Sequence, residues 1–163
     1  MRRQHAYDAL EELNQLYKQM DGIYHRYARR LGLSDTAFWI LYCLGEEGAP
    51  LTQRELCDSW AYPPQTVNSA LKGLERQGLL ALVPRAGNRK DKEMVLTPAG
   101  REYVRRAVEP LMETERQALS SLGDGGREQL FSLTRRYIRA LETGTDRLPA
   151  PAGDGEKEYE KIP

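Results

Sequence analysis

Histidine and cysteine are both scarce in this chain of 163 residues, which holds only His5, His25, Cys43 and Cys57. A metal centre needs several such ligands, or carboxylates, clustered by their spacing, and the two histidines stand far apart on one helical segment, so no metal site is expected. The cysteines lack the close pairing of a metal knuckle and the density of a secreted disulfide scaffold, which fits reduced thiols in a cytosol. No apolar run approaches the roughly 20 residues needed to span a bilayer. The start, Met1-Arg2-Arg3-Gln4-His5, leads into amphipathic rather than solidly apolar sequence, so a soluble, cytoplasmic protein with no membrane partner is expected. Phosphate loop, nucleophile elbow and a histidine spaced to activate a nucleophile are all missing, which argues against an enzyme, catalytic residues and cofactors. Net charge is missing too: 24 Lys and Arg balance 24 Asp and Glu, so any polyanionic partner must be read from local charge.

What is present is helical periodicity. Ala6, Leu10, Leu13, Tyr17, Met20, Tyr24, Tyr27 and Leu31 recur in alternating steps of four and three, the stripe of one long helix. Its heptad spacing serves a helix lying on its own domain or a seam against a second copy. Ser34 can cap a second helix whose apolar residues, Ala37 to Leu44, cover more than one face, with Gly45 and Gly48 expected to end it. Thr52-Gln53-Arg54-Glu55 reads as a capping box opening a short helix to about Trp60. Pro63 and Pro64 then open a fourth helix that runs to Gln77 and closes at Gly78. Leu79 to Val83 and Lys92 to Leu96 read as two strands, with Pro84 to Asp91 as the hairpin loop between them. Thr97-Pro98 opens a fifth helix toward Leu122 that Pro110 should kink, and Gly123, Gly125 and Gly126 should break the chain. A sixth helix carries Leu130, Leu133, Thr134, Tyr137, Ile138 and Leu141 on one face and stops at Gly144, ahead of a Pro, Gly and charge-rich tail expected to be disordered.

The expected fold is mainly α with a small β-hairpin, and the order helix, capped short helix, turn, longer helix, hairpin is the winged helix-turn-helix plan. On the fourth helix Val67, Ala70, Leu71 and Leu74 share one side, while Gln65, Asn68, Ser69, Lys72 and Arg76 fall on or near the other, with Thr66 between and Pro64 at the start. Amide, hydroxyl and ammonium groups of this kind suit base edges and phosphates. The hairpin concentrates Arg85, Arg89, Lys90 and Lys92 against Asp91 alone, beside Asn88, a charge that can reach phosphates or a minor groove. Any surface helix has a polar face and any hairpin tip is solvated; their adjacency is what favours a reader of double-stranded DNA. The alternative is a winged helix that binds another protein and reads no DNA.

Leu51-Thr52-Gln53-Arg54-Glu55-Leu56, Gln65-Thr66-Val67-Asn68, Leu74-Glu75-Arg76-Gln77-Gly78-Leu79 and Val95-Leu96-Thr97-Pro98-Ala99-Gly100 together resemble the MarR-type transcriptional regulators in composition, order and spacing. The resemblance covers about Tyr7 to Glu142. It implies one unit over 1–144, in which a module at 34–97 binds DNA and long helices at 1–31 and 98–143 form a homodimer, with 145–163 as the tail. Leu10, Leu13, Tyr17, Leu130, Leu133, Tyr137, Ile138 and Leu141 would then line the dimer interface, and two reader helices would meet the half-sites of a pseudo-palindromic operator. The family commonly carries aspartate at the wing tip, bracing a wing arginine, where this chain has Asn88, and often arginine where it has Leu82; Arg85 is a candidate substitute for that charge. Repression relieved by a small aromatic or lipophilic effector is a further implication. Tyr17, Tyr24, Trp39, Tyr42, Trp60 and Tyr62 could line its cleft or simply be core. Some relatives sense oxidants through cysteine; Cys57, near Arg54, is the better placed, though Glu55 and Asp58 oppose a thiolate.

Overall fold

A computed structural model describes residues 2–47, 51–85 and 88–149, with side chains described except at 2–7, 47 and 88–91. The elements are α1 (Arg2–Arg30), α2 (Asp35–Glu47), β1 (Leu51–Thr52), α3 (Gln53–Trp60), α4 (Pro64–Arg76), β2 (Leu80–Arg85), β3 (Asn88–Leu96), α5 (Pro98–Ala107), α6 (Glu109–Ser121) and α7 (Gly123–Thr145). The fold is therefore mainly helical with a small antiparallel sheet and long flanking helices, the winged helix-turn-helix plan expected. Contacts group the chain into two compact units that divide between Thr114 and Glu115.

The first unit is built around α2. Phe38, Ile40 and Leu41 are sealed from solvent together with Leu56 of α3, Val67, Leu71 and Leu74 of α4, Met94 of β3 and Val108. Burial of each such side chain contributes about 2 kcal/mol. Among the described residues, helix α1 joins this core through its last turns, where Ala28 is buried and Tyr24, Tyr27 and Leu31 pack against the cluster. The Tyr27 hydroxyl donates to the Ala107 carbonyl at 2.8 Å, and the Tyr103 hydroxyl to that of Leu31 at 3.3 Å. Farther back along the same stripe Leu10, Tyr17 and Met20 are exposed. The heptad pattern thus serves the chain's own core at one end and is left uncovered at the other. In the second unit, α7 buries none of its residues.

Several local expectations are corrected. The second helix does not end at Gly45 but continues to Glu47; a Cβ at Gly45 would stand 2.7 Å from a Val104 methyl, so this glycine admits α5 rather than stopping α2. Gly48 lies outside the described residues. The hairpin strands are longer than expected, taking in Pro84 and Arg85 on one side and Asn88 to Asp91 on the other. Pro84 is tolerated because the strand order β1-β3-β2 puts β2 at an edge, where a missing amide costs no ladder bond. The register shifts between Pro84, paired with Lys92, and Arg85, paired with Asn88. Strand β1 was not expected; two residues, Leu51 opposite Met94 and Thr52 opposite Glu93, are too few for an alternating pattern to show. The kink at Pro110 is a full break at Val108 between α5 and α6, since proline offers no amide to the turn before it. Gly123, at φ +65°, does mark a helix boundary, but Gly125 and Gly126 lie inside α7, and Gly144 in its last turn.

Candidate nucleic-acid interface

The capping box forms as read. Thr52 Oγ1 accepts from the Glu55 amide at 3.1 Å, and Glu55 Oε2 accepts from the Thr52 amide at 2.7 Å. Glu55 is held ionised below the ordinary carboxylate range, first by that backbone amide, then by the Thr52 hydroxyl and Arg85. After α3 the chain turns through Ala61 in the left-handed region, φ 51° and ψ 32°. Pro63 then caps α4, whose first residue is Pro64. Gln53 Nε2 donates to the Pro64 carbonyl at 3.1 Å, tying the start of α3 to the start of α4.

Helix α4 separates its faces cleanly. Val67, Leu71 and Leu74 are buried, while Pro64, Gln65, Thr66, Asn68, Ser69, Lys72 and Arg76 are all exposed. Its end is locked by Gly78, at φ +69°. The Gly78 amide donates to Glu75 and the Leu79 amide to Leu74, at 2.9 and 3.0 Å, a Schellman closure that leads directly into β2. Thr97 then sits against this closure: its hydroxyl donates to the Gly78 carbonyl at 2.6 Å and accepts from the Gly100 amide at 2.9 Å, while its own amide donates to Leu79 at 3.1 Å. The reader helix, the wing and α5 therefore meet at one residue.

In the wing, Asn88, Arg89 and Lys90 belong to β3, and Lys92 is exposed; Ala86 and Gly87 lie outside the described residues. Arg85 does not stand free. Its Nη1 lies 3.1 Å from Glu55 Oε1 and its Nε lies 3.2 Å from Glu93 Oε1. Sequence reasoning found Glu55 as a capping residue and passed over Glu93: the Arg85–Glu55 pair spans 30 positions and the Arg85–Glu93 pair forms across the β2–β3 hairpin, and neither leaves a trace in periodicity.

Five of the six candidate cleft aromatics come together. Trp39 stands 5.0 Å from Tyr24, 5.2 Å from Tyr42 and 4.9 Å from Trp60 between ring centroids, and Trp60 lies parallel to Tyr62 within 6°. Phe38, which was not among the candidates, backs Trp39 at 5.3 Å. Trp60 is 40% exposed, so the cluster opens to solvent at the turn between α3 and α4. Tyr17 lies farther back on α1, exposed and without a ring contact among the described residues. Burial, then the Asp35 charge, pushes the Tyr62 hydroxyl up.

Cys43 is buried and Cys57 half-buried. Burial, then Asp58, pushes the Cys57 thiol up, which disfavours the thiolate that oxidant sensing requires. His25 Nδ1 is 2.9 Å from Asp35 Oδ2, across the α1–α2 junction. Among the described residues no His, Cys, Asp or Glu group could hold a metal, and no helix is long and apolar enough to cross a membrane. The candidate dimer residues Leu10, Tyr17, Leu130, Leu133, Ile138 and Leu141 are exposed, with Leu13 and Tyr137 half-buried. Leu16 and Ile23 on α1, and separately Phe131 on α7, are exposed as well, though not read from sequence.

Comparison with known proteins agrees with this architecture. A sequence model described as "MarR family" matches residues 31–91, which run from the end of α1 into the wing. The HTH-type transcriptional regulator PecS of Dickeya dadantii is 29% identical over 126 residues, 76% of this chain and 74% of PecS. Among solved structures, the MarR family regulator NMB1585 of Neisseria meningitidis superposes with a TM-score of 0.70 at 24% identity, covering 85% of this chain and 96% of that one. MepR of S. aureus in its DNA-binding conformation gives 0.68 at 19% identity, covering 82% and 98%. The chain is thus similar to the MarR family over residues 31–91 and has the winged helix-turn-helix fold of these solved structures.

Proposed function

We propose that the chain is a homodimeric, sequence-specific repressor in the cytoplasm that binds a pseudo-palindromic operator and is released by a small aromatic or lipophilic effector. The observation that carries the reading is α4, whose apolar side is sealed in the core while Gln65, Thr66, Asn68, Ser69 and Lys72 are exposed. Amides and hydroxyls at these positions suit base edges in a major groove, Pro64 places the helix N-terminus against the backbone, and Lys72 suits guanine or phosphate. Asn88, Arg89, Lys90 and Lys92 bring the wing's charge to the adjoining groove. A second copy covering the exposed apolar residues of α1 and α7 would set two reader helices one helical turn of DNA apart. The aromatic cluster, open at Trp60, offers a stacking surface to an effector. Such a ligand releases DNA only if it binds the two conformations with different affinity.

The test is binding of the full chain to duplex from its own upstream region across a salt series. A steep fall in affinity is expected as counterions are recaptured. Arg89→Ala should weaken specific and nonspecific duplexes alike, whereas Gln65→Ala should change base preference. Binding that ignores salt, or two variants indistinguishable from wild type, would refute the assignment.

A further inference from the structure

Among the described side chains of the wing, Arg85 is a cation already held by carboxylates. Its guanidinium is divided between two carboxylates from different elements, Glu55 of α3 at 3.1 Å and Glu93 of β3 at 3.2 Å. Glu55 is itself anchored: its other oxygen accepts from the Thr52 amide at 2.7 Å and the Thr52 hydroxyl at 2.9 Å. Thr52 in turn is paired with Glu93 across the β1–β3 ladder. The carboxylates, the threonine and the guanidinium thus close a ring that joins the first helix of the reader pair to both strands of the wing.

We propose that Arg85 is a positioning residue that fixes the wing relative to α3 through Glu55, and not a phosphate contact. The inference rests on the DNA-binding reading above. Three observations on the ring support it. A cation shared between two carboxylates has little net charge to offer a phosphate, and so would release little of the DNA's condensed counterion atmosphere. A planar fork is suited to holding two carboxylates in fixed directions, as a lysine ammonium is not. The register shift between Pro84 and Arg85 also falls at this residue, and such irregularities re-aim a side chain.

Charge arithmetic makes the proposal testable. If Arg85 acted on DNA by its charge, Arg85→Gln would weaken binding and Glu55→Gln, which removes a negative charge from the same place, would tighten it. A brace gives both substitutions the same sign. Glutamine at position 55 still completes a capping box, so Glu55→Gln keeps α3 capped while removing the ion pair. The affinity of wild type, Arg85→Gln, Glu55→Gln and the double variant for the upstream duplex should be measured between about 50 and 200 mM salt, with each variant shown fully folded by circular dichroism. Each single variant is expected to bind about two- to fivefold more weakly, as for a half-exposed ion pair. The double variant should be no weaker than either, and the slope of log affinity against log salt should be unchanged. Tighter binding by Glu55→Gln, or a slope reduced by about 0.9 in Arg85→Gln alone, as for one lost phosphate contact, would overturn the proposal while leaving DNA binding intact. Salt-independent binding by wild type would overturn both.

Discussion

Substituting Gly100 with alanine should destabilise this protein more than the same change at Gly45 or Gly73. A methyl at Gly100 would overlap the Leu79 carbonyl oxygen and stand 2.8 Å from the carbonyl carbon, both of them backbone atoms. The obstacle cannot rotate away, because that same carbonyl accepts the Thr97 amide at 3.1 Å. Relief requires α5 to move off the α4–β2 junction. The cost combines overpacking, about 3 kcal/mol where backbone must shift, with about 1 kcal/mol for a loosened hydrogen bond. Two other glycines calibrate the reasoning. Gly45→Ala would clash with a Val104 methyl at 2.7 Å and meet Met112 Cε at an ordinary 3.6 Å; since valine is stiff at χ1 but is a side chain, about 1–2 kcal/mol is expected. Gly73, inside α4, has nothing within 4 Å of an added Cβ, so Gly73→Ala should stabilise by up to about 1 kcal/mol through helix propensity. Urea denaturation at fixed protein concentration reads all three, with a loss of about 4 kcal/mol at Gly100 lowering the midpoint by about 1–2 M for a slope of 2–3 kcal/mol/M. A Gly100→Ala midpoint at or above that of Gly45→Ala would refute the steric argument.

Ala61 adopts a left-handed conformation that favours glycine, at φ 51°, so Ala61→Gly should raise the urea midpoint by the equivalent of about 0.5–1 kcal/mol despite glycine's larger unfolded entropy. Glu55 is depressed below its ordinary range by its bonds to Thr52 and Arg85. Its contribution is therefore complete above the unfolded pKa and lost as pH falls through the folded one, and the stability gap between wild type and Glu55→Gln should close only below about pH 4. Cys57, pushed up by burial and Asp58, should react with an alkylating reagent slowly at neutral pH and faster above the ordinary thiol range, as followed by mass spectrometry. Rapid alkylation at neutral pH would contradict that assignment. Leu133→Glu, on a side chain 51% exposed, should leave the folded chain intact by circular dichroism yet halve its mass in light scattering if α7 lies at the dimer interface.

Sequence reading recovered the features that rest on local chemistry. The Thr52–Glu55 box, the Pro63-Pro64 opening of α4 and the Gly78 closure are each written within a few residues, and each formed. The two faces of α4 were legible for the same reason, since amphipathic spacing is a local property. What escaped was set by partners distant in sequence. Gly45 reads as a helix terminator until Val104 is known to press against it. Likewise Arg85 reads as a free wing cation until Glu55 and Glu93 are placed beside it. Of the six rings read as candidates, five lie together, whereas Tyr17 shares the stripe of Tyr24 but lies farther back on α1, with no ring contact among the described residues. Phe38 was passed over because a buried ring carries no polar handle to mark it.

Thr97 holds the end of α4 with its hydroxyl, Leu79 just ahead of β2 with its amide and the first turn of α5 with the same hydroxyl oxygen. Mechanically it is a rivet rather than a hinge. No compliant linker separates the C-terminal end of the reader helix from α5, so a torque applied to α5 reaches the reader as a rotation instead of being dissipated in a loop. Signal and reading surface would then be geared together at a single hydroxyl. Thr97→Val, which keeps the shape but removes that oxygen, would let the two turn independently.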